Sequence, residues 1–388
     1  MSSTEQQERA TFEADVLAAV EQWVRRELQP VAKKFDHADE YPAEIVEQMK
    51  QLGLFGATIA PEYGGLGLSA SSYAKIVLSM SAVWMAPVGI FNSHLIMAAC
   101  VQRHGTAAQK QRWLPKFASG ELRGGIGLTE PNAGTDLQAI RTTARREGDH
   151  YVINGTKTWI TNGVYGTVFG VLVKTNPEAQ PRHTGMSMFL CEKGPGFTST
   201  KKIKKLGYKA IDSAELVFDN HRVPATQLIG EQEGQGFKQA VGGLELGRIN
   251  VAARGAGIAA GALNEALRYA QQRQTFGKPI AQHQAIQLKL ADMATRVEAS
   301  KLLIEQAARK YDTGERCDLE AGMAKLFASE AGVENSLEAM RIFGGYGYST
   351  EFDIERFYRD APLMCIGEGT NEMQRIIIAR QLLERNPL

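Results

Sequence analysis

Apolar positions along the chain change their period twice. From Ala10 to Phe35 they fall at Phe12, Val16, Val20, Trp23, Val24, Leu28 and Val31, close to the 3.6-residue repeat of a helix with one buried face. Pro42 opens a second helix over Ala43–Leu52, and Gly53 stops it. The turn-rich PEYGGLGL, Pro61–Leu68, precedes helical stretches at Ser71–Trp84 and Val88–His104. A short amphipathic helix at Ala107–Phe117 ends at Gly120.

From about Gly124 the pattern becomes that of strands. HYVINGTKTWITNG, His150–Gly163, sets β-branched and aromatic residues around Asn154-Gly155, a hairpin signal. Val168–Lys174, Gly185–Cys191, Phe197–Lys201 and Ala214–Phe218 read as further strands at sandwich- or barrel-like spacing. After Gly234 the helical period returns over Phe237–Gln272, Gln282–Asp312, Asp318–Phe343 and Thr370–Leu383, the pattern of an antiparallel bundle. Helices and strands are segregated, which argues against a doubly wound sheet. The expectation is a multi-domain α+β chain: an α-helical domain over 1–122, a β domain over 123–234 and a four-helix bundle over 235–388.

Composition narrows the function classes. The chain of 388 residues carries 44 Lys plus Arg against 43 Asp plus Glu, so no bulk charge favours nucleic acid or an anionic membrane. The local run Lys201, Lys202, Lys204, Lys205 reads as a solvated strand end. No window holds the roughly 18 uncharged apolar residues of a membrane span. The opening MSSTEQQERATFEADV is acidic, without the apolar segment of a secretory or mitochondrial leader. Cys100, Cys191, Cys317 and Cys365 lie far apart, which excludes zinc-knuckle or redox spacing and points to reduced thiols in the cytoplasm. His94, His104 and His283 are isolated, so no metal is expected.

Candidate chemistry sits in short motifs. GAGIAAG, Gly255–Gly261, nearly spells a dinucleotide fingerprint, but its spacing is off by one and no strand precedes it. It reads instead as a small-residue stripe for close helix packing. GLTEPNAGTD, Gly127–Asp136, has the turn chemistry to aim several N–H groups at a flat, acceptor-rich ligand edge or a phosphate, or it is a plain surface loop. KTWITNG, Lys157–Gly163, places Trp159 and Thr161 two apart, on one side of a strand. An aromatic plane beside a hydroxyl suits a planar ring with a hydrogen-bonding nitrogen, and equally a cross-strand aromatic pair. RQTFGKPI, Arg273–Ile280, ends a helix with an arginine able to grip a phosphate or to complement the helix dipole. In MCIGEGTNEMQR, Met364–Arg375, a lone acid, Glu368, stands between glycines behind an apolar run. Apolar surroundings raise a carboxyl pKa and its basicity, so Glu368 is the candidate catalytic base.

Taken in order, GLTEPNAGTD, ITNG, RQTFGK, GGYGYSTEFDIERFYRD and IGEGTNEMQR with the following IAR resemble the acyl-CoA dehydrogenase family over essentially the whole chain. That resemblance implies a helical N-terminal domain, a barrel-like middle domain, a C-terminal four-helix bundle, and FAD held without a Rossmann module. It places Leu128 and Thr129 at the flavin pyrimidine edge and Thr135 near the pyrophosphate or the acyl-CoA. Trp159 flanks the isoalloxazine, and Thr161 bonds near N5. Arg273, Phe276, Gln284 and Gly345 match residues that close the adenosine end of a neighbouring subunit's FAD, which implies a homotetramer built as a dimer of dimers. Arg341 stands where the family usually has Gln or an acid.

By the same resemblance Glu368 removes the α-proton of an acyl-CoA thioester while a β-hydride leaves to flavin N5, giving a trans-2-enoyl-CoA. The thioester oxygen is held by the Glu368 N–H and a flavin ribityl hydroxyl. Gly367 and Gly369 permit the close approach, and Thr370 and Glu372 continue toward the flavin. A helix-start role explains Glu372 better than Glu368. Branches of the family that carry the base on a helix place it where this chain has Gly247, ahead of Arg248. Glu245 and Arg248 then border the thioester or pantetheine. The acyl pocket falls near Trp84–His94, and Met85 stands where the glutaryl-CoA branch has an Arg. A plain fatty or branched acyl chain is the default, with a dicarboxylyl chain met by an arginine elsewhere as the alternative. Electron-transferring flavoprotein is the implied acceptor, in fatty acid β-oxidation. An acyl-CoA oxidase, an enoyl-CoA reductase and a non-catalytic flavin-binding protein are the competing readings.

Overall fold

A computed structural model of the chain describes residues 3–242 and 244–387. Met1 and Ser2 of the acidic opening, residue 243 of the Phe237–Gln272 stretch, and Leu388 lie outside the described residues.

Six helices come first. α1 (Ser3–Trp23) runs through a π-helical turn at Val24–Leu28 into α2 (Gln29–Ala38), and α3 spans Ala43–Gln51. α4 (Ala70–Ser81), α5 (Ala86–His104) and α6 (Ala107–Ala118) follow. Ser69 caps α4, and a reciprocal Thr106/Gln109 box caps α6, satisfying N–H groups that a helix start leaves without partners. α5 is apolar around most of its circumference and is buried accordingly.

The middle of the chain is a seven-stranded curled sheet. Its strands are β1 (Gly124–Gly127), β2 (Thr143–Glu147), β3 (His150–Thr161), β4 (Val168–Lys174), β5 (Met186–Glu192), β6 (Phe197–Ser199) and β7 (Ser213–Pro224). They order as β1-β4-β2-β3-β7-β6, with β5 also on β4. β4 and β5 are buried on both faces. Phe169, Val171, Val173, Phe189 and Cys191 fill the sheet's own core, while Val168, Leu172, Met188 and Leu190 join the main core with the helices. This accounts for their continuous apolar runs.

The hairpin expected at Asn154-Gly155 is not there. β3 runs straight through it, pairing with β7, and the register shifts between Ile153 and Gly155. Gly155 has φ 144°, and a Cβ there would crowd Thr142. Asn-Gly therefore makes a bulge rather than a turn, and the hairpin turn falls at Gly148-Asp149, between β2 and β3. The lysine run is not a strand end, and it is solvated only at Lys201 and Lys204. β6 stops at Ser199, Lys202 Nζ donates to the Asp39 carboxylate and carbonyl at 2.5 and 2.6 Å, and Lys205 Nζ donates to the Ile211 carbonyl at 2.8 Å.

The C-terminal part comprises α7 (Gly236–Gly242), α8 (Leu244–Gln272), a small β8–β9 hairpin (Gln274–Thr275 and Lys278–Pro279), α9 (Gln284–Asp312), α10 (Asp318–Phe343), α11 (Ile354–Ile366) and α12 (Asn371–Arg385). α11 runs through Pro362, a residue that usually ends a helix, and was not expected from the sequence. α8 is the axis of the molecule and packs on α4, α9 and α10. GAGIAAG is the small-residue stripe that lets it do so. A Cβ on Gly255 would lie 2.6 Å from the Ala328 carbonyl of α10, and one on Gly257 2.6 Å from the Leu78 carbonyl of α4. Among the described residues no helix is long and apolar enough to cross a membrane.

Candidate active site

The Glu368 loop is built by its neighbours in sequence and held by a distant lysine. α11 ends at Ile366, and the Gly367 N–H donates to the Leu363 carbonyl at 2.8 Å. Glu368 takes φ 54° and Gly369 φ 93°, a turn unfavourable for any side chain but glycine's and so one that surroundings must enforce. Lys325 of α10 enforces it. Its fully buried Nζ donates to the Gly369 carbonyl at 2.9 Å, the Cys365 carbonyl at 3.3 Å and Asn371 Oδ1 at 2.8 Å. Burial pushes the Lys325 ammonium down to about 8. Thr370 caps α12, accepting from the Met373 N–H at 3.4 Å, and Glu372 lies exposed in the first turn. Thr370-Asn371-Glu372 is thus a helix start.

The Glu368 side chain meets α5 and α8 directly, and through them α4 and the loop that carries Tyr208. Its Oε1 accepts from Asn92 Nδ2 of α5 at 3.0 Å and from Arg254 Nη2 of α8 at 3.1 Å. Its Oε2 is buried with no partner among the described residues. Gly247 of α8 makes the space, because a Cβ there would collide with Oε2. Asn92 Oδ1 accepts from Tyr73 Oη of α4 at 3.1 Å, and Tyr73 Oη accepts from Asn250 Nδ2 at 2.9 Å. Tyr208, from the loop that Lys202 and Lys205 pin down, lies 3.5 Å from Arg254 Nη1 and sits over Gly89, where a side chain would clash. Removal from water raises the Glu368 pKa above the ordinary carboxylate range; the Arg254 cation, the Asn92 hydrogen bond, Lys325 and Arg248 act against that rise. Arg248 is buried with its Nε unpartnered among the described residues, and half-buried Glu245 is pushed upward by burial.

A second group forms where β1 meets β3. Leu128 and Thr129 are half-buried, and the Thr129 carbonyl accepts from the Thr158 N–H at 2.9 Å. Buried Lys157 donates to the Leu128 carbonyl at 3.1 Å and to Glu130 Oε1 at 2.8 Å, and Glu130 in turn accepts from the Arg141 and Thr142 N–H groups. The loop is therefore organised from beneath by an ion pair. Trp159 has φ 61° within an irregular stretch of β3 and is 58% exposed, beside half-buried Thr161. The bulge, rather than simple alternation, sets how these two side chains lie. Thr135 is exposed on the same loop.

The third group stands at the opposite end of α8 from Gly247. Arg273 is exposed after α8, with its guanidinium 5.8 Å from the Tyr346 ring. Phe276 is 95% exposed with φ 50°, and Gln284 and Gly345 are exposed. Arg341 points outward and pairs with Glu338 at 2.6 Å.

Asn92, Arg254, Tyr73, Asn250 and Tyr208 escaped the sequence reading; for the first four the signal is a polar residue at a helix position that otherwise faces the core, and for Tyr208, in a loop, there is none. Met85 is merely core. The cluster Asp36, His37 and Glu355 could offer ligand atoms to a cation, but Arg359 already bonds Asp36 and Glu355 at 2.6 Å each. A polar cleft of about 340 Å³ between α1, α4, α8 and α11, lined by Glu265 and Arg268 among others, contains none of the candidate residues.

Three acyl-CoA dehydrogenase models match the chain: the N-terminal domain over residues 12–121, the middle domain over 125–221 and the C-terminal domain over 234–383. The chain is 42% identical over 366 residues to an acyl-CoA dehydrogenase of Bacillus subtilis (strain 168), covering 94% of this chain and 96% of that protein. It is similar to butyryl-CoA dehydrogenase from Megasphaera elsdenii, with a TM-score of 0.92, 37% identity, and coverage of 96% and 98%. It is also similar to a chain in the structure of the electron transferring flavoprotein of Acidaminococcus fermentans, with a TM-score of 0.93, 38% identity, and coverage of 96% and 98%. All three domains and the arrangement of the helices around the sheet lead to one conclusion: this chain belongs to the acyl-CoA dehydrogenase family of FAD-dependent oxidoreductases.

Proposed function

We propose that Glu368 is the base of an acyl-CoA α,β-dehydrogenation. The observation that carries this reading is its half-satisfied carboxylate: Oε1 is fixed by Asn92 and Arg254, while Oε2 is buried and unpartnered among the described residues. A buried acceptor without a partner is costly, and here it has the position and the raised pKa to take a proton from a thioester α-carbon. The Glu368 N–H, on a turn flanked by glycines, donates to the thioester oxygen and acidifies that proton. Arg248 and Glu245 border the thioester end.

The residues of the second group fit a flavin. Trp159 offers an open aromatic plane, Leu128 and Thr129 offer backbone and hydroxyl groups beside it, and Thr161 offers a hydroxyl near N5. FAD, when bound there, supplies the acceptor for the β-hydride. Thr135 lies toward the pyrophosphate and acyl-CoA, with Gly369, Thr370 and Glu372 completing the loop.

Arg273 stands 26 residues beyond Gly247 along α8, about 40 Å at 1.5 Å per residue. That exceeds what one dinucleotide spans from a flavin beside Glu368. Arg273, Phe276, Gln284, Gly345 and Arg341 therefore act on the FAD of a neighbouring subunit. Exposed Phe276, Leu288, Leu302, Leu382 and Leu383 supply apolar surface for the contacts of a homotetramer. Electron-transferring flavoprotein is the acceptor of its electrons, and free, mostly buried cysteines suit a cytoplasmic enzyme.

Anaerobic titration of the FAD-loaded protein with a series of acyl-CoA esters tests the assignment. Flavin absorbance should bleach with the right ester, and Glu368→Gln should keep FAD but bleach at least about a thousandfold more slowly. Bleaching of the variant at the wild-type rate removes Glu368 as the base.

A further inference from the structure

The far side of the Glu368 carboxylate is polar, and this is the wrong lining for a hydrocarbon chain. Arg254 is 4% exposed and Asn250 is fully buried, one turn apart on α8. Tyr73, Asn92 and Tyr208 complete the group, all buried. Of the donors on Arg254, Nη2 is used by Glu368 and Nη1 lies 3.5 Å from Tyr208 Oη, while Nε has no partner among the described residues. Asn250 Oδ1 is likewise buried and unpartnered among them. The unmet Nε–H donor in this buried interior points to an acceptor group on a ligand.

We infer that the acyl chain carries a terminal carboxylate, so that the substrate is a short dicarboxylyl-CoA, held at that end by Arg254 with Tyr208. This rests on the proposed role of Glu368. The guanidinium fork matches a carboxylate in two parallel hydrogen bonds, and the free Nε–H is the donor that the second bond needs. Asn250 Nδ2 already serves Tyr73, which keeps that hydroxyl directed at Asn92 and leaves the arginine to the substrate. A saturated chain ending in a methyl group would instead leave the buried Nε–H without an acceptor. Because Arg254 and Asn92 grip the same Glu368 oxygen, the α-carbon and the terminal carboxylate must lie only a few bonds apart, which restricts the chain to short diacids.

The geometry also couples binding to readiness. In the free enzyme Arg254 has Glu368 as its anion. A substrate carboxylate competes for the same guanidinium and draws it off the base, so the diacid ester frees the group that attacks it. In the reaction the C2–H bond breaks with its proton going to Glu368. The C3–H bond breaks with its electron pair and hydrogen passing as hydride to the oxidised flavin, and C2 and C3 become doubly bonded while both carboxyl ends stay intact.

Glutaryl-CoA and pentanoyl-CoA, equal in chain length, separate the alternatives. Anaerobic flavin bleaching is measured with both on wild type, Arg254→Gln and Arg254→Lys, and calorimetric binding of both is measured on FAD-loaded Glu368→Gln. The expected result is a preference for glutaryl-CoA of at least about tenfold in wild type, lost in Arg254→Gln and partly kept in Arg254→Lys. Equal or better bleaching by pentanoyl-CoA overturns the diacid assignment while leaving Glu368 as base. Tighter binding of glutaryl-CoA with no bleaching by either ester supports the Arg254 site and overturns the catalytic reading. Should Arg254→Gln lose its FAD, the wild-type ratio and the Glu368→Gln binding ratio still decide.

Discussion

Gly247 and Glu368 occupy one space: the hydrogen of the glycine faces Oε2 of the acid, and any side chain on α8 at that position would displace the carboxylate. Gly247→Ala should therefore fold and bind FAD yet reduce it slowly. A shift of about 1 Å in a reacting group lowers rates on the order of a hundredfold. Stopped-flow flavin reduction checks this, and a variant within about twofold of wild type would show that the carboxylate works from another position.

The pH dependence of flavin reduction follows from the burial of Glu368. Its folded pKa is raised, so the rate should increase with pH and level off only above the ordinary carboxylate range. The charged groups around it are Arg254, Arg248 and Lys325, all of which favour ionisation. Removing one cation in Arg254→Gln should move the midpoint further upward. A midpoint that moves downward would contradict the pairing of Arg254 with Glu368.

Lys325 holds the Glu368 turn from beneath. Lys325→Met strips donors from the Gly369 and Cys365 carbonyls and from Asn371. The Gly369 carbonyl keeps Gln374 Nε2 and Asn371 Oδ1 keeps Ser329 Oγ, so the cost is about 1–3 kcal/mol, that of one stranded acceptor, the Cys365 carbonyl. Denaturant unfolding should show a clear loss of stability, and the reduction rate should fall while acyl-CoA affinity changes less. Unchanged rate and stability would mean the turn holds itself.

The Lys157–Glu130 pair bears the same relation to the flavin loop. Lys157→Met leaves a buried carboxylate without its cation, a loss of about 3–5 kcal/mol. Glu130→Gln, which keeps an acceptor for one of the Arg141 and Thr142 N–H groups, should be milder. FAD content after purification and melting temperature should fall in that order, and full FAD retention in Lys157→Met would separate the pair from the loop.

Phe276 is nearly bare in the single chain. Phe276→Asp should weaken assembly and release FAD together, seen by sedimentation and flavin absorbance. Release of neither would place the adenosine contacts elsewhere.

Much of this protein was legible before any coordinates. The helical and strand periods depend on which face of a local element is buried, and that is written in neighbouring residues. Glu368 also stood out locally, as a charge between glycines behind an apolar run. Asn154-Gly155 misled because the same dipeptide serves a turn or a bulge, and only the pairing of β3 with β7 chose between them. The lysine run misled in a similar way, because Asp39, the partner of Lys202, lies 163 residues earlier. What tertiary structure alone decided is the company Glu368 keeps. Asn92, Arg254, Tyr73 and Tyr208 come from three helices and a loop, and no spacing within the chain records that they meet. A polar side chain at a core-facing helix position announces that a partner exists, but its identity is fixed only when α4, α5 and α8 pack and exclude the water that would otherwise have served.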